Sequence, residues 1–220
     1  MKPEQTQQRI LEAAEALFGE LGFDATTTRD IAERSGINKA LIHYHFGTKD
    51  ELLQVLLDGY YAQLTAAVSA PLARQLPAEE QALAVLDAYG DFLAAHRIFC
   101  CLVQREIASG RHVEQIVART LPAFRLGTGW LQGRAPEAER VQLLTSVYGM
   151  VVTYFTHGGV LRQLTGEDPF SPRALEARKR HVRRVAALLL GQLEEGSKAG
   201  KRGKTWARST RRTPRKSRGS

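Results

Sequence analysis

The sequence predicts an all-α protein, with a small three-helix domain at the N-terminus and a larger helical domain behind it. Three observations lead there. Apolar residues recur at helical spacing along nearly the whole chain, beginning with Ile10, Leu11, Ala14, Leu17, Phe18 and Leu21. Paired start and stop signals bracket two short helices between residues 27 and 47. No alternating pattern competes for a strand.

The first helix ends at Gly22. Thr27, with Asp30 three places on, resembles a capping box and opens a second helix with an acid in its first turn. Ile31 and Ala32 supply an apolar face, and Gly36 after Ser35 can take the positive φ of a tight turn. Asn38 then caps a third helix, in which Leu41, Ile42 and Phe46 alternate with Lys39, His43, Tyr44 and His45. Gly47 closes it, and Lys49 stands at the start of the next helix. Two short helices across a glycine turn, with one face packed and the other turned to a partner, make a helix-turn-helix. That unit points to the reading of DNA sequence.

A fourth helix is expected from about Thr48 to Ala70, carrying Leu52, Leu53, Leu56, Tyr60 and Leu64. The stretch from Pro71 to Pro77 reads as a break, and Pro77 with Glu79 and Glu80 reads as a new start. Leu83, Leu86, Tyr89, Phe92 and Leu93 form the next buried stripe. Further helices are expected over Arg97 to Ser109, His112 to Leu126, Glu137 to His157 and Pro172 to Leu193. Gly110, a Gly127–Gly129 turn, an Arg134–Pro136 turn and the TGEDPFSP loop from Thr165 separate them. Three units follow: a helix-turn-helix domain over 1–47, a helical regulatory and dimerisation domain over 48–195, and a basic tail over 196–220.

Composition narrows the function classes. The chain has 220 residues and 43% hydrophobic content, enough for buried cores. No apolar run approaches the roughly 20 residues that span a bilayer, and the charged N-terminus lacks the apolar core of a signal peptide. A cytoplasmic protein without membrane contact is expected. The net charge of +8 misleads, because Gly196 to Ser220 carry ten Lys or Arg and no acid. Without them, 21 basic residues face 23 acidic ones, so the folded part is not basic overall. The Gly/Ser/Lys/Arg-rich tail is expected to be disordered, either adding unspecific attraction to phosphate or simply aiding solubility.

The segment from Thr27 to Lys49 resembles the DNA-binding domain of the TetR family of transcriptional regulators. Thr27, Thr28, Ile31, Ala32, Gly36, Ile37, Ile42, Phe46, Lys49 and Leu52 match that family's pattern, while His43 and His45 replace its two usual tyrosines. The resemblance implies that Lys39, Ala40, Leu41 and His43 face base edges. Lys39 can donate to guanine O6 or N7, and Ala40 or Leu41 can meet a thymine methyl. Thr28, Tyr44, His45 and Lys49 are placed where phosphates are met, with Lys49 the leading anchor. Ile31, Ile37, Ile42 and Phe46 are core.

The same resemblance implies a homodimer on a pseudo-palindromic operator, paired through the helices 137–157 and 172–193. Leu144, Val147, Tyr148, Val151, Tyr154 and Phe155 with Gly149 in the first, and Val182, Val185, Leu188 and Leu189 in the second, are the expected contact faces. It further implies a small-molecule effector that releases the DNA, as from a repressor. Tyr89, Phe92, Phe99, Gln104, Arg105, Trp130, Tyr154 and His157 are the candidate pocket residues. No cofactor and no metal are expected, since adjacent Cys100 and Cys101 have neither disulfide nor zinc-ligand spacing.

Two other classes remain open on the residues alone. An enzyme would use Cys100 or Cys101 as nucleophile with His96, His112 or His157 as base, but no catalytic motif supports it. The thiols could sense redox state, but small buried hydrophobes within the apolar run IFCCLV are the stronger reading. An architectural DNA binder would depend on the tail, so deletion of residues 196–220 separates it from a sequence reader.

Overall fold

A computed structural model describes residues 3–209, with side chains described through Leu193. Among these residues there are ten helices and no strand. The head is formed by α1 (Pro3–Glu20), α2 (Thr28–Ser35) and α3 (Lys39–Phe46). Ile10, Ala14 and Phe18 of α1 close over Ile31, Ile42 and Phe46, all buried, which is the three-helix core that the apolar spacing predicts.

From the head runs α4 (Lys49–Leu72), whose Leu52, Leu53 and Leu57 are completely buried. Its later turns pack on α5 (Ala78–Ala95). Behind them come α6 (Arg97–Ser109), α7 (Val113–Trp130), α8 (Glu137–Thr156), α9 (Gly158–Thr165) and α10 (Pro172–Ser209). The body meets the head chiefly where α6 lies on α1. At the far side α10 is fastened to α5 by ion pairs, Lys179 with Asp91 at 2.7 Å and Arg183 with Asp87. No helix among the described residues is long and apolar enough to cross a membrane.

Several boundaries differ from the sequence reading. Pro71 does not break α4, which continues to Leu72. Pro71 gives up its own backbone bond, but it stands one residue from the helix end, and the Ala73 amide still bonds the Ser69 carbonyl at 3.2 Å, so the helix stops just after it rather than before it. Gly127 and Gly129 lie inside α7 rather than in a turn. A β-carbon at Gly127 would stand 3.0 Å from the Leu144 side chain, so this glycine serves close helix packing and the chain turns only after Trp130. Helix α9 occupies a stretch between the expected helices 137–157 and 172–193 to which the sequence reading assigns no element; there Gly158 accepts the Phe170 ring against its backbone. The tail expected to be disordered from residue 196 is helical as far as Ser209, and 210–220 lie outside the described residues.

The α8 face expected against a second chain is turned inward. Val151 and Phe155 are buried, Leu144 packs on Gly127, and Tyr148 meets Phe124 with ring centroids 5.4 Å apart. Val182 of α10 is buried in the same way, while Leu188 is 65% exposed. Helical periodicity shows that a face is apolar but not which neighbour covers it.

Leu53 has no exposure at the point where α4 leaves the head. Leu53→Ala should destabilise the chain by about 2–5 kcal/mol, read as a lower urea midpoint with the slope of the transition unchanged.

Candidate nucleic-acid interface

Two capping boxes frame the reader. Thr27 accepts from the Asp30 amide at 3.2 Å, and its own amide donates to Asp30 Oδ2 at 2.7 Å. Thr48 and Glu51 repeat the arrangement at the start of α4, at 3.1 and 2.7 Å. Bonds from Thr27 hold the Asp30 carboxyl below its usual range, and those from Thr48 do the same for Glu51. Between the boxes, Gly36 adopts φ 65°, ψ 25°, and the Asn38 side chain accepts from the Ala40 amide at 2.9 Å to start α3.

With Ile42 and Phe46 buried, the opposite face of α3 is fixed outward. Lys39, Ala40 and His43 are exposed, Leu41 is 43% exposed and Tyr44 81%. A tyrosine so bare beside a packed domain is a ready contact for a polar partner. The structure thus brings together the four residues expected to read bases.

The two histidines are set by different neighbours. His43 Nδ1 lies 2.8 Å from the Gly47 carbonyl oxygen. A carbonyl only accepts, so Nδ1 carries the proton and Nε2 of the neutral ring is left as an acceptor. His45 Nδ1 lies 3.3 Å from Gln7 Nε2. That amide nitrogen donates, so Nδ1 accepts and Nε2–H is the donor that remains. Thus His43 suits an amino group on a base edge and His45 a phosphate oxygen. Gln7 of α1 had no signal in the sequence, because the contact spans 38 residues. Thr28 stands half-buried at the first residue of α2.

Lys49 departs from its expected role. Its ammonium donates to the carbonyls of Phe23 at 2.6 Å and Thr26 at 2.7 Å, and lies 4.2 Å from the centre of the Phe23 ring. Two of its three protons are therefore spent inside the domain, pinning the α1–α2 loop to the start of α4. Arg29 and Arg34 are likewise engaged, with Glu33 at 3.0 Å and Glu20 at 2.7 Å.

The eight candidate pocket residues do not converge on one cavity. Phe92 and Phe99 pack edge to face at 5.9 Å, with Tyr60 stacked on Phe99 at 4.7 Å. Tyr89 joins this core, where burial pushes its phenol well above the ordinary range. Gln104 Nε2 donates to the Tyr148 hydroxyl at 2.9 Å. Arg105 turns away to the Phe18 carbonyl at 3.4 Å, bridging to the head. Trp130 lies beneath the Arg134 guanidinium, Tyr154 donates to the Pro169 carbonyl at 2.6 Å, and His157 is exposed after α8. A cavity of about 40 Å³ between α5, α8 and α10 is lined by residues such as Leu86, Val151, Phe155 and Arg178, and by none of the eight. It has room for water but not for a drug-sized molecule, which needs about 300–1,000 Å³.

Burial pushes the Cys100 thiol up to about 12, with Cys101 adding to the shift, and burial also raises Cys101 against the opposing pull of Arg105 and Arg97. Both stay protonated near neutral pH. That disfavours the nucleophile and redox-sensor readings alike.

Residues 10–56 match the family model of bacterial regulatory proteins, tetR family. These residues carry a domain of the TetR-family N-terminal type. The HTH-type transcriptional repressor Rv3405c of Mycobacterium tuberculosis is 48% identical over 62 residues, covering 28% of this chain and 33% of that protein. The regulator TtgR of Pseudomonas putida is 43% identical over 58 residues, 26% of this chain and 28% of its own. The match therefore spans about a third of the relatives' length. The fold reaches further than the sequence. A transcriptional regulator from Aquifex aeolicus superimposes with TM-score 0.65 at 18% identity, covering 84% of this chain and 99% of that one. The ketosteroid transcriptional regulator KstR2 of M. tuberculosis gives 0.64 at 22% identity, covering 84% and 93%. The body thus shares the all-helical fold of these structures.

Lys49→Ala should lower the unfolding free energy by about 1–3 kcal/mol, since it strips two backbone carbonyls of a charged donor. Chemical denaturation without DNA checks this; an unchanged midpoint would return Lys49 to a purely phosphate-facing role.

Proposed function

We propose that the chain is a ligand-responsive transcriptional repressor that binds a pseudo-palindromic operator as a homodimer and is released by a small-molecule effector. The observation that carries this reading is the outward face of α3. Lys39, Ala40, Leu41 and His43 stand clear of a domain whose other face is sealed by Ile42 and Phe46. In the major groove, Lys39 donates to guanine, Ala40 and Leu41 meet thymine methyls, and Nε2 of His43 accepts from cytosine or adenine amino groups. Thr28, Tyr44 and His45 contact phosphate from the flanks. Lys49 acts as a positioning residue that sets the loop and helix beside them.

Dimerisation is assigned to the outward sides of α8 and α10 rather than to the faces spent in the core. On α8, Val141, Thr145, Gly149 and Thr153 fall four residues apart. Val141 is 45% exposed, and open space surrounds Gly149. Leu188 lies on the exposed side of α10. An effector would enter by parting the core around Tyr89, Gln104 and Tyr148, whose polar groups carry no charge at neutral pH. Repression follows where the operator overlaps a promoter.

Lys39→Ala should cost about 1–3 kcal/mol on the selected operator and much less on unrelated DNA. Selection of bound genomic fragments, followed by titration of the enriched site, measures both; smears without a shared palindromic motif would defeat the reading. Leu188→Arg should weaken self-association by at least about tenfold, from the roughly 1.5–3 kcal/mol that burial of a leucine contributes. Sedimentation across a concentration series reads that loss.

A further inference from the structure

We propose that His112 is a proton-operated latch between α6 and the start of α4 beside the head, closed on Asp50 and Glu106 when its ring is charged and released from Asp50 when the ring is neutral. His112 sits in the turn between α6 and α7 with φ 48°, the only positive φ outside glycine among the described residues. A side chain held in the left-handed region costs free energy and persists only where its surroundings impose it. Here the backbone aims both ring nitrogens at carboxylates. Nδ1 lies 2.8 Å from Glu106 Oε2, and Nε2 lies 3.0 Å from Asp50 Oδ1.

Ionised carboxylates only accept hydrogen bonds, so both nitrogens must donate at once. Only the imidazolium can do that. Its two partners lie on different parts of the molecule: Glu106 on α6 in the body, and Asp50 in the first turn of α4, just after the recognition helix. The ring also stands edge-on to Phe23 of the head, centroids 5.0 Å apart and planes at 83°. Other charges at the junction are committed elsewhere: Arg111 pairs with Asp24 at 2.7 Å, and Lys49 is bound to the Phe23 and Thr26 carbonyls.

Loss of the proton leaves the ring one N–H. The Glu106 side chain is 4% exposed and cannot turn to water, whereas that of Asp50 is 66% exposed and can. The proton therefore stays on Nδ1 and the bond to Asp50 at the start of α4 opens. Burial disfavours the charged ring, but the bonds to Glu106 and Asp50 outweigh it, so His112 titrates above its ordinary value. A group raised on folding contributes its full stability below the unfolded pKa of about 6.5 and loses it as pH rises through the folded value. The latch thus opens as pH rises through a value above the ordinary one of about 6.5.

The latch itself needs no DNA, while its effect on operator affinity rests on the regulator reading above. The test uses the full chain with His112→Gln and, should that variant fold poorly, Asp50→Asn. Without DNA, NMR titration should place the native His112 above about 6.5, and Asp50→Asn should lower it. Between pH 6 and 9 the native melting temperature should fall by about 2–4 °C more than that of either variant. With operator present, native affinity should change with pH by a larger factor than in the variants. A ring that titrates at or below the ordinary value, or native and variant profiles that run parallel, would overturn the latch. Absence of operator binding at every pH would instead strike the regulator reading, and the DNA-free titration would still decide the latch.

Discussion

An eight-residue helix cannot keep its shape in water, because so few backbone bonds do not offset the cost of nucleation. Everything α3 can do therefore depends on Ile42 and Phe46 being clamped by α1, α2 and α4. The same clamp fixes which side chains look outward, so the packing of two residues determines the chemistry of Lys39, Leu41, His43 and Tyr44. The surrounding capping boxes, the Asn38 cap and the Gln7–His45 bond hold the angle of this short rod rather than adding to its affinity. Pre-ordering of this kind lowers the entropy cost of meeting a partner.

How far the molecule could be read from its residues follows from the range of the interactions. The head was legible because its signals are local: Thr27 with Asp30, Gly36 and Asn38 each act within four residues, and all behave as the spacing implied. Lys49 was misjudged because its partners, the carbonyls of Phe23 and Thr26, lie more than twenty positions away. Gly127 looked like a turn since nothing nearby announces Leu144, and the α8 stripe looked like a subunit face since periodicity does not name its cover. The aromatic pocket candidates shared one flaw: aromatic residues at helical spacing mark interior, and interior here is mostly filled. His112 was noticed only as a possible base, for its meaning arises where Glu106 and Asp50 meet.

Electrostatically the head is quieter than the +8 of the whole chain suggests. Arg29, Arg34 and Lys49 are each bound within the head, so few of its cations can displace counterions from a phosphate backbone. What remains favours discrimination through geometry over raw attraction. The basic residues near the C-terminus are then the natural source of any long-range pull, with α3 left to choose among sites.

The two thiols that looked like a sensor have a practical bearing. Because burial keeps Cys100 and Cys101 protonated, thiolate-selective reagents will attack them slowly, and a surface cysteine will outcompete them. A Tyr44→Cys chain could thus carry a fluorescent or spin label on the reading face with both native cysteines left in place. Distances between two such labels would then report how far apart paired recognition helices are held.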